Sequence, residues 1–213
     1  MKMTTRSFVS GIALGGATLA MAFGSVDRAQ AATLLNDNFN TENGAVGTLG
    51  YTGFANWTVS TGVDLLGNGT YDIYPGNGLF VDLNGESAGA ITSTNSFTFA
   101  SNETATLSFN YGSNNLGTDG TNTSARIFLG GVEIAQLTNP GGSSFATFSQ
   151  TFSNPTSGTL RFEAINPGTG GIVIDNISLV STSVPEPSDF VGTAFAFGSV
   201  VLLKRKMTKK KLG

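Results

Sequence analysis

Asp175 lies in "GGIVIDNISL", residues 170–179, with Ile172, Val173, Ile174 and Ile177 around it. A carboxylate in that company costs several kcal/mol unless hydrogen bonds or an opposite charge compensate it. Basic side chains are nearly absent nearby, so two remedies remain open: backbone N–H groups or a hard cation. Asp37, near the N-terminal strand, is the candidate second ligand for such a metal ion. Sugar binding is the other chemistry that the residue types suggest. Sugar rings present C–H patches edged with hydroxyls, which suit aromatic faces set beside amides and acids. "GNGTYDIYPGNG", residues 67–78, supplies Tyr71, Asp72, Tyr74 and Asn77 as a candidate ligand-binding rim. The alternative is a connecting loop anchored by its tyrosines. Trp57, the only tryptophan, shares strand parity with Val59 and Val63 and reads as core. "DLNGE", Asp82 to Glu86, has its glycine and glutamate misplaced for a calcium loop. It reads as a hairpin turn with a solvated Asp82.

Charge and missing residue types exclude whole classes of function. Residues 32–183 contain two arginines, Arg126 and Arg161, against eleven Asp and Glu, a net charge of −9. That balance repels a phosphate backbone, so nucleic acid is not an expected partner. Divalent cations and neutral polymers are better suited. Without histidine there is no Ser-His-Asp or Cys-His chemistry and no ordinary zinc site. Without cysteine there is no disulfide framework. Hydrolysis or elimination of glycosides by two carboxylates about 5–10 Å apart needs no histidine. No cluster of aromatics around two acids stands out, however, and a non-catalytic protein is the expectation.

The elements that must position these residues are strands. Ala105-Thr-Leu107-Ser-Phe109-Asn-Tyr111 alternates apolar and polar, as do Thr159 to Ala164 and Ala125/Ile127/Leu129. Phe97/Phe99 and Ala146/Phe148/Phe152 follow the same period. Leu79–Leu83 and Gly171–Leu179 are continuously apolar, as central strands are. Asn84-Gly85 and Gly130-Gly131 are short turn signals. About ten strands and no convincing helix predict an all-β antiparallel sandwich over residues 32–180. The Ser/Thr-rich segment 181–189 reads as a linker.

Both ends of the chain carry trafficking signals. Lys2 and Arg6, the apolar stretch Phe8 to Phe23 and the small-x-small "AQA" at residues 29–31 form a secretory signal peptide, residues 1–31. It implies signal peptidase as a transient partner. At the other end, residues 190–203 are uncharged and would span about 21 Å as a helix, short of the roughly 30 Å hydrocarbon core. The tail 204–213 follows, with Lys204, Arg205 and Lys206 at its head as a stop-transfer cluster that stays cytoplasmic.

"VPEPS", a short apolar helix and a basic cluster, in that order, resemble the PEP-CTERM sorting signal of exported bacterial proteins. The resemblance implies that Val184, Pro185, Glu186 and Pro187 are recognised by a membrane-embedded exosortase. Membrane anchoring would then be transient, followed by release to the cell surface or extracellular matrix. Two prolines around a glutamate keep such a motif extended. "LLNDNFN", "FANWTVSTGVDLLGNG", "YPGNGLFVDLNG" and "GGIVIDNISL" resemble a jelly-roll domain common in PEP-CTERM proteins, similar in layout to galactose-binding-like folds and carbohydrate-binding modules. That resemblance implies a structural Ca2+ shared by the first and last strands, with Asp37 and Asp175 as ligands. It also implies extracellular polysaccharide as a partner. A purely structural surface protein is the remaining alternative.

Overall fold

A computed structural model describes residues 29–114, 123–141, 143–166 and 168–183. The sorting motif Val184–Pro187, the apolar segment 190–203, the basic tail and nearly all of the signal peptide lie outside the described residues. Among the described residues no helix is long and apolar enough to cross a membrane.

Among the described residues eleven strands form two antiparallel sheets. The first sheet holds β3 (Asp64–Gly67), β4 (Leu79–Asp82), β11 (Ile172–Ser183), β6 (Glu103–Ser113) and β9 (Ala146–Ser153), in that order. It also holds β1 (Ala31–Asp37), which pairs with β11. The second sheet runs β2 (Trp57–Val59), β5 (Ala90–Ser93), β10 (Leu160–Ala164), β7 (Ser124–Leu129), β8 (Val132–Thr138). Among the described residues the only helical element is a short 3-10 turn at Glu42–Ala45. The described residues are therefore all-β, as their two-residue period dictates. Gly130 and Gly131, with φ of 59° and 78°, make the tight β7–β8 turn that only such residues enter without strain.

The two inner faces enclose one core. Trp57, Leu65, Val81, Ile91, Leu107, Phe109, Ile127, Phe162, Ile174 and Leu179 are all within it and at most 1% exposed. Phe162 receives Trp57 and Phe109 edge-on, with centroids 5.9 and 5.1 Å away. Trp57 is thus core, as its parity predicts.

A second, smaller core lies on the outward side of the first sheet. Leu66, Tyr74, Phe80 and Val173 are buried there, with Ile73 and Phe145 packed on them. Leu66 pairs with Phe80 across β3 and β4, so the two side chains share one face. The Tyr74 ring stacks on Phe145 at 4.3 Å. Its hydroxyl donates to the Ser113 carbonyl (3.0 Å) and accepts from the Ser113 N–H (2.8 Å). Covering on both sides explains why all four residues of β3 and all four of β4 are buried.

Several details depart from the sequence reading. Asp82 is 0% exposed, not solvated, because its outward face is the covered one. "DLNGE" is not a hairpin: β4 and β5 belong to different sheets, and the segment crosses between them. Phe97 and Phe99 form no strand; Phe97 makes an isolated bridge to Gly158. Ser181–Ser183, read as the start of a linker, continue β11: all three pair with β6, and Ser181 and Thr182 pair with β1 as well. β1 opens at Ala31, the last residue assigned to the signal peptide.

Candidate functional site

β11 meets β6 along its whole length on one side but changes partner on the other. Val173 and Ile174 pair with β4, whereas Ile177 to Thr182 pair with β1. At this changeover the β6 register slips between Asp175 and Ser178, and Asn176 takes a φ of 51°. A bulge of this kind re-aims side chains. Here it sets Asp175, 0% exposed, beside the end of β1, where Asp37 is the partner of Ile177.

Both carboxylates receive amide donors. Asp175 accepts from the Asn176 N–H (2.7 Å) on Oδ1 and from Asn176 Nδ2 (2.9 Å) on Oδ2. Asp37 accepts from the Phe39 N–H (2.9 Å), Asn56 Nδ2 (3.0 Å) and Trp57 Nε1 (2.9 Å). It therefore ties the first strand to the core tryptophan. Burial pushes the Asp175 carboxyl up to about 7; the Asn176 N–H opposes the rise and the Asp37 charge adds to it. The structure thus supplies the amide remedy and brings together the two acids read as cation ligands. No group of three or more His, Cys, Asp or Glu able to hold a metal occurs among the described residues. A calcium ion here would take most of its six to eight oxygens from main-chain carbonyls, which its flexible coordination permits.

The loop from Gly67 to Gly78 divides its four candidates. Asn68 and Gly69, with φ of 50° and 94°, turn the chain tightly, and the Thr70 N–H closes the turn on the Gly67 carbonyl at 3.1 Å. Tyr71 follows with a φ of 45°, a region that bulky residues seldom enter. Its ring is 55% exposed. It lines a cleft of about 330 Å³ with Leu49, Asp64, Glu86, Asn114 and Thr169. Asp72 is exposed. Tyr74 is the buried anchor described above, and Asn77 donates to its carbonyl at 2.9 Å. Tyr74 and Asn77 line a second hollow of about 450 Å³ with Pro75, Asn110, Ser143 and Phe145.

The floor of the Tyr71 cleft is acidic, which sequence reasoning missed. Asp64 pairs directly with Asp82 across β3 and β4. Asp82 accepts from the Asn84 N–H (2.8 Å) and from Asn114 Nδ2. Burial pushes its carboxyl up to about 7; these amides oppose the rise and Asp64 adds to it. Asp64 accepts from the Gly50 N–H at 2.6 Å and is also raised, first by burial, with Glu86 adding to it. The wall that carries Leu49 is held by Thr48, whose N–H donates to the Leu65 carbonyl at 2.7 Å. Leu49 projects from that wall 53% exposed. Glu42, also unremarked in the sequence, is buried and accepts from the Ala55 N–H at 2.9 Å and the Tyr51 hydroxyl at 3.3 Å. It closes the loop that leads into β2.

No protein-family profile matches the chain, and no curated protein matches it. Solved structures do. The C-terminal family 6 carbohydrate-binding module of a laminarinase from Zobellia galactanivorans is 12% identical, with 73% of this chain covering 100% of that one at a TM-score of 0.43. A family 35 module from Paenibacillus barcinonensis is 18% identical, with coverages of 62% and 98% and a TM-score of 0.39. A family 35 module from Clostridium thermocellum is 20% identical, with coverages of 60% and 92% and a TM-score of 0.38.

Proposed function

We propose that residues 32–180 are a non-catalytic, carbohydrate-binding jelly roll that works outside the cytoplasm. The observation that carries this is the Tyr71 cleft. Tyr71 and Leu49 expose apolar faces at its edges, while Asp64, Glu86, Asn114 and Thr169 offer acceptors and donors within. Its volume of about 330 Å³ falls at the lower end of the range for small-ligand sites. A sugar ring combines the same two characters, a C–H face and a rim of hydroxyls.

The trafficking reading completes the proposal. The signal peptide directs export, and Val184-Pro185-Glu186-Pro187 with the following apolar and basic segments directs exosortase sorting to the surface or matrix. Extracellular polysaccharide is then the partner within reach. Asp37 and Asp175 hold a structural Ca2+ in this reading, and the ion offsets the burial that raises Asp175 and the Asp37 charge that adds to it.

Affinity electrophoresis through gels containing the producer's own polysaccharide tests the binding. The protein should be retarded, Tyr71→Ala should migrate freely, and no reducing ends should appear. Release of reducing ends would replace the module with an enzyme, and unretarded wild type would leave a structural surface protein. The metal has its own test. Removing calcium with a chelator should lower the Tm of the wild type and leave Asp175→Asn unmoved.

A further inference from the structure

The outward face of the second sheet gathers the only two cationic side chains among the described residues. Register places them: on β10 and β7, Glu163 pairs with Arg126 and Arg161 pairs with Phe128, while β5 sets Thr92 beside Arg161. Both arginines turn to the same carboxylate. Arg161 Nη2 donates to Glu163 Oε1 at 2.8 Å and Arg126 Nη2 to Oε2 at 3.4 Å. The Arg126 guanidinium also lies over the Phe128 ring, 5.5 Å from its centroid.

This network is one anion short. Two guanidiniums share one carboxylate, and the other acid on this face, Glu133 opposite Phe128, forms an ion pair with neither. A strand face that needed only neutrality would pair one base with one acid. Each arginine has five donors, and neither donates to anything but Glu163 among the described residues. The Nε of each is buried without a partner. The side chains remain 41% and 42% exposed, so a ligand can reach the outer donors. Beside them lies a hollow of about 420 Å³ lined by Thr92, Phe128, Gly131, Thr159, Arg161 and Glu163.

The missing anion must be sparse in charge. A densely charged chain would meet the field of eleven acids, including exposed Glu133, the β8 partner of Phe128. A carboxylate on an otherwise neutral ring avoids that cost. It would meet the guanidinium fork in its preferred planar geometry, with the ring's C–H face toward Phe128 and its hydroxyls toward Thr92 and Thr159. We propose that this face is a second binding site, for a uronate residue of an acidic glycan, with Arg161 and Arg126 holding the carboxylate. It is separate from the Tyr71 cleft and stands without it.

The test compares two probes by titration calorimetry on the purified chain: a short oligogalacturonide, and the same oligomer with its carboxyls reduced to alcohols. The acid should bind at least about tenfold more tightly than the neutral oligomer. Its affinity should fall as salt is raised, because part of the attraction is between exposed charges. Arg161→Ala should lose at least about tenfold and Arg161→Lys less. Equal affinity for both oligomers, no binding of the acid, or full affinity in Arg161→Ala would each overturn the proposal. The wild-type comparison needs no variant to fold, and the thermal melt of each variant separates lost binding from lost structure.

Discussion

The two sheets share a core but treat their outward faces in opposite ways. Over β3, β4 and the start of β11 the first sheet's outward face is roofed by the loop carrying Tyr74 and by Phe145, so Leu66, Phe80 and Val173 are as dry as the main core. The second sheet leaves its outward face open and puts Thr92, Arg161, Glu163, Arg126 and Phe128 there. A roofed face contributes stability and forces any acid on it, such as Asp82, to find amides. An open face contributes little stability and keeps polar groups available to a ligand. Function should therefore concentrate on the second sheet's face and at the rim of the first sheet's roof, where Tyr71 emerges.

Removing the roof's anchor should have the largest effect. Tyr74→Ala is expected to cost about 3–5 kcal/mol in urea unfolding, as for other large aromatic-to-alanine changes. Its loss also removes two hydrogen bonds that Ser113 makes with the Tyr74 hydroxyl. A cost below about 1 kcal/mol would mean that the roof does not hold, and the contrast between the faces would fail.

The pH dependence of stability follows, with its sign set by Asp82. Its folded pKa is raised from 3.8 to about 7, the reverse of the usual ion-paired aspartate. The folded state therefore holds a proton that the unfolded state has released between about pH 4 and 7. Stability should be fullest below that window and decline by a few kcal/mol as pH rises through it. Denaturant midpoints across that range should flatten in Asp82→Asn by the share that Asp82 contributes.

A methyl group beneath the roof is a gentler probe. Gly112 faces Tyr74 so closely that a Cβ there would strike the tyrosine hydroxyl. Gly112→Ala should cost about 1–3 kcal/mol by overpacking. On the open face the matching change is expected to be almost silent: Thr92→Ala should stay within about 0.5 kcal/mol. A large loss there would show that the second face is also structural.

How much of this the sequence discloses depends on which face a residue occupies. Where one face is wet, as in β6, β7 and β10, alternation identifies strand and inward side chains directly. β4 and the start of β11 read as continuously apolar, which signals cover on both sides without saying what supplies it. Asp82 is the consequence: parity sends it outward, and only the distant Tyr74 loop turns outward into buried. The Asn84-Gly85 pair has hairpin chemistry, yet the chain crosses to the other sheet there, a choice made by tertiary packing. Ser181–Ser183 have linker composition but gain a ladder from β6, and Ser181 and Thr182 one from β1 as well. Asp175 is conspicuous in the sequence as a carboxylate in an apolar strand, and Asp37, 138 positions earlier, is a charged neighbour of it in the fold. Arg126 and Arg161 were visible as the region's only cations. Their convergence on Glu163 is a matter of register and could not be seen.

Mapping a bound glycan residue by residue tests the central claim most directly. Backbone amide chemical shifts should be recorded while the producer's polysaccharide, cut to short oligomers, is added. The account predicts saturable shifts at Leu49, Asp64, Tyr71, Glu86 and Thr169, and for acidic oligomers also at Thr92, Phe128 and Arg161. Leu66, Phe80 and Val173 beneath the roof should not move. Shifts that never saturate, or that fall on the roofed residues instead, would contradict it.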